Sequence, residues 1–167
     1  MLLNHHIKDD YIMRNFSTRH AISRAEFFLV LAEDCKPHQR MNFEAFLEAS
    51  IIFARTAIHR LQHEFSRHPE WKDWFDALKD DPAVSFFRVQ RDLILKEGRP
   101  KLGQIIDFNP IIFAKELYYF VDPTIDASIT VRNHLESLSE TVHLAESMFL
   151  SVSKMGKQRH PKSKDCL

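Results

Sequence analysis

Along most of this chain apolar residues return every three or four positions, the period of helices that bury one face. "STRHAISRAEFFLVLAEDC" predicts a first helix with Ser17 or Thr18 as its N-cap. Its Phe27-to-Ala32 run is apolar nearly all round, which predicts a central, largely buried element. In "NFEAFLEASIIFARTAIHRLQHEF" the apolar positions Phe43, Phe46, Leu47, Ile51, Ala54, Ala57, Ile58, Leu61 and Phe65 keep helical spacing behind a candidate cap at Asn42. That helix would be on the order of 35 Å long at about 1.5 Å per residue. Pro69 suits the first turn of a short third helix carrying Trp71, Trp74, Phe75 and Leu78.

"DDPAVSFFRVQRDLILKEG" has strong boundaries, with Asp81 as cap, Pro82 at the first helical position and Gly98 at the left-handed end. After Gly98 the period changes. "GQIIDFNPIIFAKELYYFVDP" is rich in Ile, Phe, Tyr and Val around Asn109-Pro110, which favours a β-hairpin over a short helix from Ile111 to Tyr119. From about Thr124 to Lys154 the chain is helical again. Val131, Leu135, Leu138, Val142, Ala145, Phe149 and Val152 form a narrow seam for another long helix, in the bundle or across a dimer. The expected fold is mainly α: a four- to five-helix bundle with a small β-hairpin or irregular insertion near residues 101–122. It occupies 17–154 as one domain, between a loosely held arm at 1–16 and a disordered basic tail at 155–167.

Composition narrows the classes. Only 3 glycines in 167 residues argue against an all-β sandwich or barrel, which needs many tight turns. The 23 basic and 23 acidic side chains cancel, so no global field steers the protein toward a polyanion or a membrane. Cys35 and Cys166 lie far apart without metal-type spacing, as expected in a reducing compartment. The opening "MLLNHHIKDDY" has acids where a signal peptide needs an apolar run, and no apolar stretch approaches a bilayer span of about 20 residues. These features predict a cytoplasmic protein without a membrane partner.

Most candidate chemistry reads as surface or core. His59 and His63 stand at i, i+4, but opposite the apolar stripe of their helix, so a solvated pair is expected in place of a metal site. "HRLQHEF" lacks the glutamate of a zinc-protease signature, and there is no phosphate-binding glycine loop or nucleophile elbow. The inward acid-and-histidine pattern of carboxylate-bridged bundles is missing, so neither cofactor nor metal is expected. The tail's Lys154, Lys157, Arg159, Lys162 and Lys164 read as a solvated terminus. Arg91 differs. Val84, Phe87, Arg91, Ile94 and Leu95 fall in one sector of their helix, so an arginine points where apolar neighbours point. A buried guanidinium needs a carboxylate partner or an anionic ligand.

In "RDLILKEG", an arginine followed by an acid and a short spacer in a bundle of this size resembles the HEPN superfamily, whose motif is an arginine, a polar residue and, after a spacer, a histidine. Arg91 matches the arginine, Asp92 the polar residue, and Lys96 stands where the histidine would be. The order of long helices is also similar over most of 17–154. The resemblance implies a homodimer acting on RNA in a toxin–antitoxin or defence setting, with an antitoxin among its protein partners. It also implies metal-independent endoribonuclease chemistry, with two motifs meeting across a dimer cleft and Arg91, Asp92 and Lys96 as catalytic residues. Lysine, with an ordinary pKa near 10.4, is mostly a fixed cation at neutral pH, which points to RNA binding by a catalytically degenerate member. The alternative is a non-catalytic helical interaction or sensor module for a protein or small ligand.

Overall fold

The computed structural model describes residues 17–36, 38–109 and 112–156, apart from the side chains of 107–116 and 151–156. The arm at 1–16, most of the tail and the side chain of Val152 lie outside the described residues. Among the described residues, five helices and one hairpin follow in the order α1 (Thr18–Glu33), α2 (Arg40–Phe65), α3 (Trp71–Leu78), α4 (Pro82–Glu97), β1 (Gly103–Asn109), β2 (Ile112–Tyr119) and α5 (Ala127–Gly156). The fold is a mainly helical bundle with a two-stranded antiparallel hairpin.

α1 and α2 form the most extensive helix pair. Ala25, Ala54 and Ala57 are fully buried, and such small residues allow close backbone approach. There the buried Ser50 Oγ donates to the Ala25 carbonyl at 2.8 Å, which satisfies a hydroxyl that would otherwise be costly inside. Ser17 caps α1, its Oγ accepting from the His20 N–H at 3.3 Å. α1 nevertheless lies at the edge of the bundle. Phe27 and Val30 are 58% and 47% exposed, which corrects the expectation of a central helix. α2 and α5 cover two flanks of α1, and nothing among the described residues covers the third.

α2 begins at Arg40, two residues ahead of the expected Asn42 cap, and its N-cap Gln39 makes no side-chain capping bond. Gln39 Oε1 instead accepts from the Lys36 N–H at 2.9 Å, closing the turn that starts the helix earlier. α3 starts at Trp71, after Pro69. Trp71 packs with Phe65, Trp74, Phe75 and Phe149 at ring-centroid distances of 5.0 to 6.3 Å. The seam of α5 is consumed inside this bundle: Val131, Leu135, Leu138, Val142, Ala145 and Phe149 are each at most 2% exposed.

The hairpin pairs Gly103 with Tyr119 and Ile105 with Leu117, with an irregularity between Asp107 and Asn109. Gly103 is required by close approach, since a Cβ there would meet the Tyr119 ring at 2.3 Å. Tyr118, 6% exposed, docks the hairpin by stacking on Phe43 with centroids 4.8 Å apart.

Candidate functional site

α4 carries the motif-like residues, and both ends follow from its sequence. Asp81 Oδ1 accepts from the Ala83 and Val84 N–H groups at 2.9 and 3.0 Å, and Gly98 takes the left-handed conformation at φ 75. The buried face is Ala83, Val84, Phe87, Gln90 and Ile94. The stripe read from spacing is therefore rotated: Gln90 is inside, Leu95 is 61% exposed, and the Arg91 side chain is 40% exposed at the rim. Apolar spacing allowed either rim. Packing against α2 and α5 selected one.

At that rim Arg91 Nη1 donates to Asp92 Oδ1 at 3.0 Å. This bond holds the Asp92 carboxyl below the usual carboxylate range, helped by the positive charges of Arg91, Lys96 and Arg55. Arg55 comes from α2. Burial lowers its pKa first, Asp92 opposes that, and the charges of Arg91 and Arg88 add to it. A guanidinium stays protonated under such shifts, so Arg55 meets the like charges of Arg91 and Arg88 with Asp92 opposing them. Asp92 is the carboxylate whose charge acts on Arg55 among the described residues.

His59, one turn beyond Arg55, borders the same group. Partial desolvation lowers its pKa first, and the charges of Arg55 and Arg91 lower it further, although the residue is exposed at its outer edge. Its imidazole is therefore neutral at neutral pH. Leu95 and Ile52, 37% exposed, supply apolar surface on the same flanks of α4 and α2.

α4 runs unbroken to Glu97, so Lys96 lies about 140° around the axis from Arg91 at 3.6 residues per turn. Lys96 is exposed and joins the group through its charge on Asp92, one turn away. Within one chain the structure thus brings together Arg91 and Asp92, with Lys96 beside the acid alone. Arg55 and Arg88 were not among the sequence-derived candidates, and His59 was weighed only as half of a metal pair and set aside as solvated surface. The signal available for them was the i, i+4 pair Arg55–His59, but spacing cannot tell which flank of α2 faces α4.

One other reactive group is quiet. Cys35 donates its thiol to the Leu31 carbonyl at 3.2 Å, and burial, then Asp34, pushes its pKa up, so it is a thiol at neutral pH. Among the described residues no three His, Cys, Asp or Glu side chains are placed to hold a metal ion, and no helix is long and apolar enough to cross a membrane. No family model, no curated protein and no solved structure matches the chain.

Proposed function

We propose that the protein binds RNA in the manner its HEPN-like motif implies, through the face shared by α2 and α4. The observation that carries this reading is that the charges of Arg88 and Arg91 act on Arg55 beside the carboxylate of Asp92, in a chain of zero net charge. Like charges repel and cost free energy in the free protein. A phosphodiester placed among them removes that cost and accepts bidentate bonds from the guanidinium forks. Asp92, accepting from Arg91 Nη1 at 3.0 Å, orients the guanidinium.

His59 is the neutral imidazole beside the arginines, so it is the group that would accept a proton from a bound RNA 2′-hydroxyl. Lys96 then contributes charge only. A homodimer would bring the Lys96 of a second copy toward Arg91, and an antitoxin or other protein partner would cover the same face.

The test is fluorescence anisotropy with single-stranded RNA across a salt series. Wild type should bind with a steep salt dependence, and Arg91→Ala should weaken binding and flatten the slope by about 0.7. Binding that ignores salt, or survives Arg91→Ala unchanged, sinks the proposal. The second reading, a non-catalytic interaction module, rests on the exposed Phe27 and Val30 of α1. It predicts RNA binding indifferent to Arg91 and a partner lost on Phe27→Glu.

A further inference from the structure

α3 and α5 touch through rings, Trp71 and Trp74 against Phe149 with centroids 5.7 and 5.6 Å apart. Farther back along α5, at Leu144 and Thr141, a cleft of about 360 Å³ lies between the two helices. Its apolar floor is Trp74, Ala77 and Leu78 from α3 and Leu144 from α5, and Asp80 and Asp81 line it from the turn into α4. Leu144 is 53% exposed, so a large apolar side chain is left open to water beside a half-buried Trp74. Thr141 also lines the cleft, but its Oγ1 donates to the Ser137 carbonyl at 3.0 Å, so that wall needs no polar partner.

The charges around this opening share one sign. Asp73 stands one turn before Ala77, and Glu140 one turn before Leu144, so both border the groove beside Asp80 and Asp81. Asp73, Asp80 and Glu140 are exposed. The lysines at α3 lie elsewhere: Lys72 is about 160° around the axis from Trp74, and Lys79 is held by Asp76. A chain with equal numbers of acids and bases thus gathers acids at one apolar opening.

An apolar groove between two helices accepts the apolar face of a third, and the charge at its rim selects which one. Carboxylates repel phosphate, which excludes nucleic acid and anionic lipid from this surface. We infer that the cleft between α3 and α5 is a docking groove for an amphipathic helix of a partner protein that carries Lys or Arg along the edges of its apolar stripe. The stripe lies on Trp74, Leu78 and Leu144, and the cationic side chains reach Asp73, Asp80 and Glu140. The groove shares no residue with the Arg55–Arg91 face, so the inference stands whether or not that face binds RNA. A second copy is disfavoured as the occupant. Its described basic and apolar surface is the Arg91 rim with Leu95 and Ile52, and rim-to-cleft pairing is heterologous, which builds rings or open chains in place of a two-fold dimer.

The test uses the full chain and two fluorescein-labelled peptides of about 18 residues, long enough to hold a helix. Both carry the same leucine stripe, with either Lys or Glu at the remaining positions. Anisotropy should show the Lys peptide binding wild type, more weakly as salt is raised, and the Glu peptide not binding. Asp73→Lys/Asp80→Lys should weaken the Lys peptide about tenfold or more, as attractive surface pairs become repulsive. Leu144→Ser should weaken it at every salt concentration, and Arg55→Ala/Arg91→Ala should leave it unchanged. Asp73, Asp80 and Leu144 are exposed, and circular dichroism checks that the fold is kept. No binding of the Lys peptide by wild type, equal binding of both peptides, or binding indifferent to the Asp73, Asp80 and Leu144 changes overturns the groove. Sedimentation that shows wild type associating with itself, reversed by Asp73→Lys/Asp80→Lys, gives the cleft to a second copy and overturns the inference. So does Lys-peptide binding that appears only after Lys157, Arg159, Lys162 and Lys164 are replaced by Ser, which gives the cleft to the chain's own tail.

Discussion

The two sides of this bundle use arginine in opposite ways. Between α1 and α5, each arginine meets an acid from the other helix: Arg19 pairs with Glu146, and Arg132 Nε donates to Glu33 Oε1 at 2.9 Å. These pairs sit toward opposite ends of α1 and fix how α5 lies along it. Between α2 and α4, Arg55 meets the charges of Arg88 and Arg91 as well as that of Asp92, and that acid is already bonded to its neighbour Arg91. Balanced pairs hold helices together, while an unbalanced group leaves charge that a ligand can use. Both sides have similar numbers of charges, so it is the arrangement that separates a clamp from a site.

The largest effect should come from beneath the arginines. Phe87 is fully buried under α4, and Phe87→Ala should cost about 3–5 kcal/mol in denaturant unfolding, because a cavity opens where the helix is held. By contrast, Arg55→Ala/Arg91→Ala should leave the unfolding midpoint unchanged or higher, since mutual repulsion is relieved, while RNA affinity falls by about tenfold or more, as expected when charged hydrogen bonds are lost. A midpoint that drops as far as with Phe87→Ala would make these arginines structural and end the contrast.

A smaller effect should follow pH. The pKa of His59 is lowered, by burial first and then by Arg55 and Arg91, and that of His134 is lowered by burial against the opposing charge of Asp81. His134 stacks on Phe86 with centroids 4.3 Å apart. Because both folded values lie below the unfolded one, the unfolded chain binds more protons. Their stabilising contribution is therefore complete above about pH 6.5 and is lost as pH falls through the folded values. A bound phosphate raises the His59 pKa instead, so RNA affinity should grow as pH falls below about 7. His59→Gln should flatten that affinity profile, and His134→Gln should flatten only the thermal-stability profile. Identical profiles for the two variants would remove His59 from the site.

The smallest effect belongs to the clamps. Glu33→Ala should cost about 0.5 kcal/mol, the scale of a solvent-exposed ion pair, and should leave RNA affinity as it was. Differential scanning calorimetry beside anisotropy reads both. A change in RNA affinity there would mean that the two sides of the molecule are coupled.

Legibility differed by element for physical reasons. The Asp81 cap, Pro82 and the Gly98 terminus were readable because local backbone chemistry decides them, and the β1–β2 hairpin because the period changes after Gly98, while the expected turn residue Pro110 lies outside the described residues. The α5 seam was readable as a seam, but its 4-3 spacing suits a bundle neighbour and a dimer partner equally. The start of α2 was misplaced because a Gln39–Lys36 contact outside the helical period began it early. Arg91 was placed on the buried stripe, whereas its side chain is 40% exposed at the rim. A helix has two rims for one stripe, and Gln90 took the inside position.

From the sequence alone came the mainly helical bundle, the favoured hairpin, the core-facing residues of α2 and α5, and the oddity of an arginine beside an acid at residue 91. Periodicity and capping are properties of one segment at a time, so one segment suffices to read them. Only the tertiary structure turned α1 outward, enclosed the α5 seam, and brought Arg55 and His59 across from α2 to Arg91. Which flank of a helix meets which neighbour is set by packing between segments distant in the chain, and no single segment carries that information.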